Sequence, residues 1–119
     1  MNIDSTQEQP TVIDCSEPWF SYILHGVKLV EGRKGTPKWA AIVEGNYLLF
    51  RNGDLSFLAV VTGVKKYKTL KEYLLVEGVS NVLPGVESFE DGLATYMQWS
   101  TPAEIEKYGF LGIHVKVLE

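Results

Sequence analysis

Apolar and polar positions along the chain change period several times, and each change predicts an element. Thr11 to Cys15 (TVIDC) is a short apolar run that reads as a strand. Behind it, Trp19, Phe20, Ile23 and Leu24 recur at helical spacing, with Ser16 placed to cap the helix, Pro18 suited to its first turn and Gly26 to end it. Val27 to Arg33 predicts a second strand, and Lys34 to Asn46, interrupted by Gly35, Pro37 and Gly45, predicts an irregular connection. Tyr47–Arg51 and Ser56–Val64 are rich in aromatic and β-branched residues and flank Asn52, Gly53 and Asp54, which predicts a hairpin turning on Asn52-Gly53. Its second strand is long if it continues through Tyr67.

The second half of the chain is helical until its end. Thr69 with Glu72 opens a helix over Leu70, Tyr73 and Leu74 that Gly78 can stop. Ser88 precedes an apolar stripe at Phe89, Leu93, Tyr96 and Met97, and Thr101, Pro102 and Glu104 repeat the start signal before Gly109. Leu111, Ile113, Val115 and Val117 then alternate with Gly112, His114, Lys116 and Leu118, the period of a half-buried strand. About five strands and three to four helices follow, without the regular strand–helix alternation of a doubly wound sheet. The expected class is α+β, with a small, strongly curved or barrel-like sheet and helices packed around it. Residues 1–10 are polar and aperiodic and read as a flexible tail, leaving 11–119 as one domain.

Composition narrows the setting. With 119 residues, 45% hydrophobic and 22% charged, the chain supports one core without staples. The single cysteine, Cys15, excludes an intramolecular disulfide and reads as a small core residue. No apolar stretch approaches the roughly 20 residues of a membrane span, and the opening MNIDSTQEQP has no signal-peptide pattern, so a cytoplasmic or nuclear location is expected. His25 and His114 have no companions at metal-ligand spacing, and neither a metal nor a cofactor is expected.

The net charge of −4 argues against a nucleic-acid partner, but its distribution does not. Residues 26–71 carry a balance of +6, against −6 over residues 72–119 and −4 over residues 1–25. Such segregation can focus positive potential on one surface. Two readings of the basic residues stay open. Lys34, Lys38 and the run Lys65-Lys66-Tyr67-Lys68 can extend a nucleic-acid surface, with Tyr67 and Trp39 stacking on bases, or they are solvated charges and barrel-end packing.

The densest chemistry lies in His25-Gly26-Val27-Lys28-Leu29-Val30-Glu31-Gly32-Arg33. In a plain strand Glu31 and Arg33 share a face about 7 Å apart while Lys28 points away, so Lys28 joins them only across a bulge or turn. A surface ion pair with a stray lysine is the alternative.

Gly26, Lys28, Glu31 and Arg33 reproduce the G-x-K-x-x-E-x-R signature of ASCH domains in the PUA-like superfamily. Glu17-Pro18-Trp19-Phe20, Asn81-Val82-Leu83-Pro84-Gly85 and Lys107-Tyr108-Gly109 resemble its compact single-domain branch. The resemblance implies a closed β-barrel with a cleft beside the first helix, where RNA or a modified nucleotide binds. Gly26 would let the backbone approach the ligand, Lys28 and Arg33 would contact phosphate or base oxygens, and Glu31 would hold Arg33 or read an amino group. If about four phosphates are neutralised on a single strand, the log–log salt slope should be about −3. The family also contains hydrolases, which would make Lys28 and Glu31 catalytic in an amidohydrolase or ribonuclease. Here, however, Glu31 occupies the place of the threonine nucleophile of acetylcytidine amidohydrolases. A third reading is a protein-interaction adaptor using the acidic residues between 72 and 106.

Overall fold

The computed structural model describes residues 9–118. Residues 1–8 of the expected tail lie outside the described residues. Five strands, β1 (Thr11–Asp14), β2 (Val30–Lys34), β3 (Tyr47–Asn52), β4 (Leu55–Tyr67) and β5 (Phe110–Val117), form one sheet in the order β1-β3-β4-β5-β2. Only β1 and β3 pair in parallel. The class is the expected α+β, with a curved half-barrel in which backbone pairing leaves β1 and β2 as edges. The closed barrel implied by the resemblance is therefore not completed by hydrogen-bonded strands among the described residues.

The first helix, α1 (Trp19–Leu24), begins without a Ser16 side-chain cap. Instead the Glu17 carboxylate accepts from the Ser21 backbone N–H at 3.0 Å and from its hydroxyl at 2.7 Å. Gly26, at φ 76°, turns the chain so that the N–H groups of Val27 and Lys28 both donate to the Tyr22 carbonyl. Those residues are tied to α1, so β2 starts at Val30 rather than Val27.

The connection after β2 holds a single helical turn, α2 (Pro37–Ala40). In the hairpin, Asn52 pairs with Leu55, so the two-residue turn is Gly53-Asp54 rather than Asn52-Gly53. Gly53, at φ 60°, supplies the positive φ that a primed turn needs at its first position. Thr69 and Ser88 cap α3 (Leu70–Glu77) and α5 (Phe89–Tyr96), and Thr101 with Glu104 forms the full capping box of α6 (Pro102–Tyr108). A further turn, α4 (Val79–Val82), brings the described helical segments to six instead of three to four.

Two apolar clusters hold these layers together. Ile13, Leu48, Phe50, Val61 and Ile113 line the inner face of the sheet and pack against Phe20 and Ile23 of α1. On the opposite face, Phe110 and Tyr67 meet Tyr73, Leu74, Val82, Tyr96 and Ile105 from the helices. A register shift between Val61 and Gly63 re-phases β4, so that Ala59, Val61 and then Val64 face the first cluster while Tyr67 reaches the second. The edges β1 and β2 flank a gap, and the candidate site lies there.

Candidate functional site

Because residues 27–29 leave the strand path, Lys28 swings to the Glu31 side, meeting the condition the sequence set. Its side chain is 2% exposed, and its ammonium donates to the Val30 carbonyl at 2.6 Å and to the Val82 carbonyl of α4. Glu31 Oε1 lies 3.7 Å away, an ion pair but not a hydrogen bond. Burial pushes the Lys28 ammonium below its ordinary pKa, and the Glu31 charge partly restores it.

Glu31 and Arg33 share a face of β2, as their spacing predicts. Arg33 Nε donates to Glu31 Oε2 at 2.9 Å, and its Nη2 donates to the Asp14 carbonyl of β1 at 3.0 Å. One guanidinium thus bridges the two edge strands where the backbone does not. Its carbon sits 5.1 Å from the centre of the Trp39 ring, which Lys38 Nζ also approaches at 4.7 Å. Lys34 is held by Glu104 at 3.3 Å and by the Trp99 carbonyl at 3.4 Å.

Lys28, Glu31, Arg33, Lys34 and Trp39, though not Lys38, line a cavity of about 420 Å³, inside the roughly 300–1,000 Å³ range of small-molecule sites. Lys28, Glu31, Gly32, Arg33 and Lys34 form one side, and Asp14, Cys15 and Ser16 the opposite edge. All three tryptophans, Trp19, Trp39 and Trp99, wall it together with Tyr96, and Ser100 lies among them. Sequence reasoning singled out Trp39 and missed the other aromatic walls and Ser100. A signal was present: each tryptophan lies within three residues of a proline, Pro18, Pro37 or Pro102, and therefore at the end of an element.

Other expected site residues lie elsewhere. Gly26 makes the turn after α1 and is absent from the cavity lining, so its role is to redirect Lys28 rather than to admit a ligand. Lys66, Tyr67 and Lys68 line a separate open groove against α6, whose Glu104 faces the cleft side. Lys65 lies outside the cavity lining as well. Tyr67 cannot stack on a base: its ring is buried edge-on against Tyr73, and its hydroxyl donates to Glu77 Oε2 at 2.6 Å. His114 Nε2 meets the same oxygen at 3.0 Å. The basic excess of residues 26–71 is therefore not gathered in the cleft.

Cys15 borders the cavity but is buried, and desolvation first, then the Glu31 charge, push its thiol up to about 12 from 9.0. A raised folded-state value gives a stability contribution that is complete below pH 9 and is lost as pH rises from there toward 12. The native thiol is expected to resist iodoacetamide at pH 8 and to form thiolate absorbance only near pH 12, whereas the urea-unfolded chain titrates near 9. Thiolate appearing near pH 9 in the folded protein would contradict this account.

The family described as ASCH domain matches residues 13–119. No curated protein matches the chain. Among solved structures, the hypothetical protein PH0355 is 32% identical over 92% of this chain and 100% of its own, with a TM-score of 0.86. PF0455 from Pyrococcus furiosus is 30% identical over 93% and 99%, with a TM-score of 0.78. A variant of ZmASCH from Zymomonas mobilis shares the fold at 12% identity over 88% and 66%, with a TM-score of 0.60.

Proposed function

The chain belongs to the ASCH domain family, and from that premise we propose that it binds RNA or a modified nucleotide in the cleft between β1 and β2. The observation that carries this reading is the meeting of the Lys28–Glu31–Arg33 cluster with an aromatic-walled cavity large enough for one base. Flat π-systems stack on tryptophan, and an acceptor beside a donor reads the hydrogen-bonding edge of a base. Lys38, exposed at the rim over Trp39, is placed to meet a phosphate of the same ligand.

Binding is favoured over hydrolysis because the Lys28 ammonium is buried, two of its three N–H groups are held by backbone carbonyls and Glu31 lies beside the third at 3.7 Å, so the lysine is engaged in the fold rather than free to act on a substrate. Quenching of tryptophan fluorescence by short single-stranded RNA and by nucleosides tests the reading. Arg33→Ala and Glu31→Gln are each expected to weaken binding at least tenfold. Unchanged affinity in both variants would remove the cleft from the binding site. Turnover of an acylated nucleoside by the wild type, lost in Glu31→Gln, would replace the binding reading with an enzymatic one.

A further inference from the structure

Charge in the cleft is compensated. Lys28 and Arg33 flank Glu31, Lys34 is paired with Glu104, and Arg51 holds Asp14 at 2.9 Å. Four cations face three carboxylates, and Lys38 over Trp39 at the rim is one more, so two positive charges are left over and they form no row. The lysines that would follow a phosphate chain, Lys65, Lys66 and Lys68, lie away from the cavity. A ligand bearing several phosphates finds no row of free cations here, and electrostatic affinity scales with the number of phosphates neutralised.

The hydrogen-bonding capacity still unused has a different character. Ser100 is 8% exposed, lines the cavity, and its hydroxyl has no hydrogen-bond partner among the described residues. Buried hydroxyls are normally satisfied, so this one lacks a partner that the chain itself does not provide. Glu31 Oε1 is ion-paired with Lys28 at 3.7 Å but accepts no hydrogen bond among the described residues. Arg33 commits Nε and Nη2, and its Nη1 has no acceptor among the described residues. The cleft therefore offers an acceptor, a donor and a hydroxyl that can be either, between aromatic walls.

We propose that the ligand is a single uncharged nucleobase or nucleoside, held by Glu31 Oε1, Arg33 Nη1 and the Ser100 hydroxyl, and that a phosphate, where one is present, adds no more than a single rim contact at Lys38. This rests on the cleft reading above and narrows it. Ser100 becomes a ligand contact that no motif announced. Glu31 takes an N–H of the base edge, Arg33 a carbonyl or ring nitrogen beside it, and Ser100 a further polar atom reached from the α5–α6 side.

Calorimetric titration of the full chain settles the matter with cytidine, acetylated cytidine, adenosine, guanosine and uridine, their 5′-monophosphates, and a mixed-sequence RNA decamer, at 50 and 300 mM salt. At least one nucleoside is expected to bind, its monophosphate no more than threefold tighter, with a log–log salt slope shallower than about −1. Ser100→Ala should weaken that nucleoside about 5- to 20-fold while leaving the melting temperature unchanged. Binding confined to monophosphates or the decamer with a slope of about −2 or steeper, or unchanged affinity in Ser100→Ala, overturns this inference and leaves the cleft reading standing. No binding by any of these probes removes both.

Discussion

Replacing Lys28 by alanine is expected to cost about 3–5 kcal/mol of folding stability, because it removes one partner of a buried ionic cluster and leaves the others in place. The Val30 and Val82 carbonyls lose their donor, and Glu31, itself 7% exposed, keeps a carboxylate with Arg33 as its one remaining cation. Val82 belongs to α4, so the ammonium also fastens that turn to β2. Lys28→Met restores the aliphatic bulk without the charge and should recover little on its own. Adding Glu31→Gln removes the orphaned charge, and the double variant should regain about 1–2 kcal/mol over Lys28→Met. Urea unfolding measures both, and a loss below 1 kcal/mol in Lys28→Ala contradicts the picture. One practical consequence follows: lost ligand binding in Lys28→Ala reports unfolding as readily as a lost contact, so Arg33 and Glu31 are the positions at which binding should be tested.

Local signals were legible wherever one residue type settles the geometry. Thr69, Ser88 and Thr101 announce their helices because a side-chain oxygen satisfies an N–H that has no helical partner. Alternation at Leu111, Ile113 and Val115 announces β5 because that face packs in the first cluster, whereas the burial of its other face, at Phe110 and Gly112 under Tyr73, leaves no such period. β2 spans Val30–Lys34 and not the Val27–Arg33 that the sequence predicts. The Tyr22 carbonyl, at the end of α1 and five and six residues back, takes the N–H groups of Val27 and Lys28 out of the ladder. The signature was visible for the same reason that its geometry was not: its members are close in sequence, whereas Trp19, Tyr96, Trp99 and Ser100 reach the cleft from α1 and the α5–α6 region. Charge segregation misled, since a strand of 13 residues carries Lys66 to a groove separate from the cavity that Lys34 lines.

The second large effect is expected at a position the signature leaves unspecified. Gly32 pairs directly across β2 and β5 with Gly112, and the two together form a flat slot in which the Tyr73 ring lies. A Cβ at Gly32 would stand 2.5 Å from the Tyr73 hydroxyl and 2.8 Å from Cε2 of Phe110, and both side chains are about fully buried. Tyr73 cannot simply step aside. Its hydroxyl shares a 2.7 Å hydrogen bond with that of Tyr96, whose ring walls the cavity. Gly32→Ala is therefore expected to lose about 1–3 kcal/mol through overpacking, even after the gain of about 0.4–1 kcal/mol from stiffening the unfolded chain. Removing the oxygen that the new methyl meets should relieve part of the cost. Tyr73→Phe alone leaves the Tyr96 hydroxyl unpaired and destabilises, yet in the Gly32→Ala background it should be less harmful or even favourable. A double-mutant cycle by urea unfolding reads this coupling, with the double variant more stable than the sum of the single changes. Strict additivity would mean that the Tyr73 ring is not seated on the Gly32–Gly112 slot.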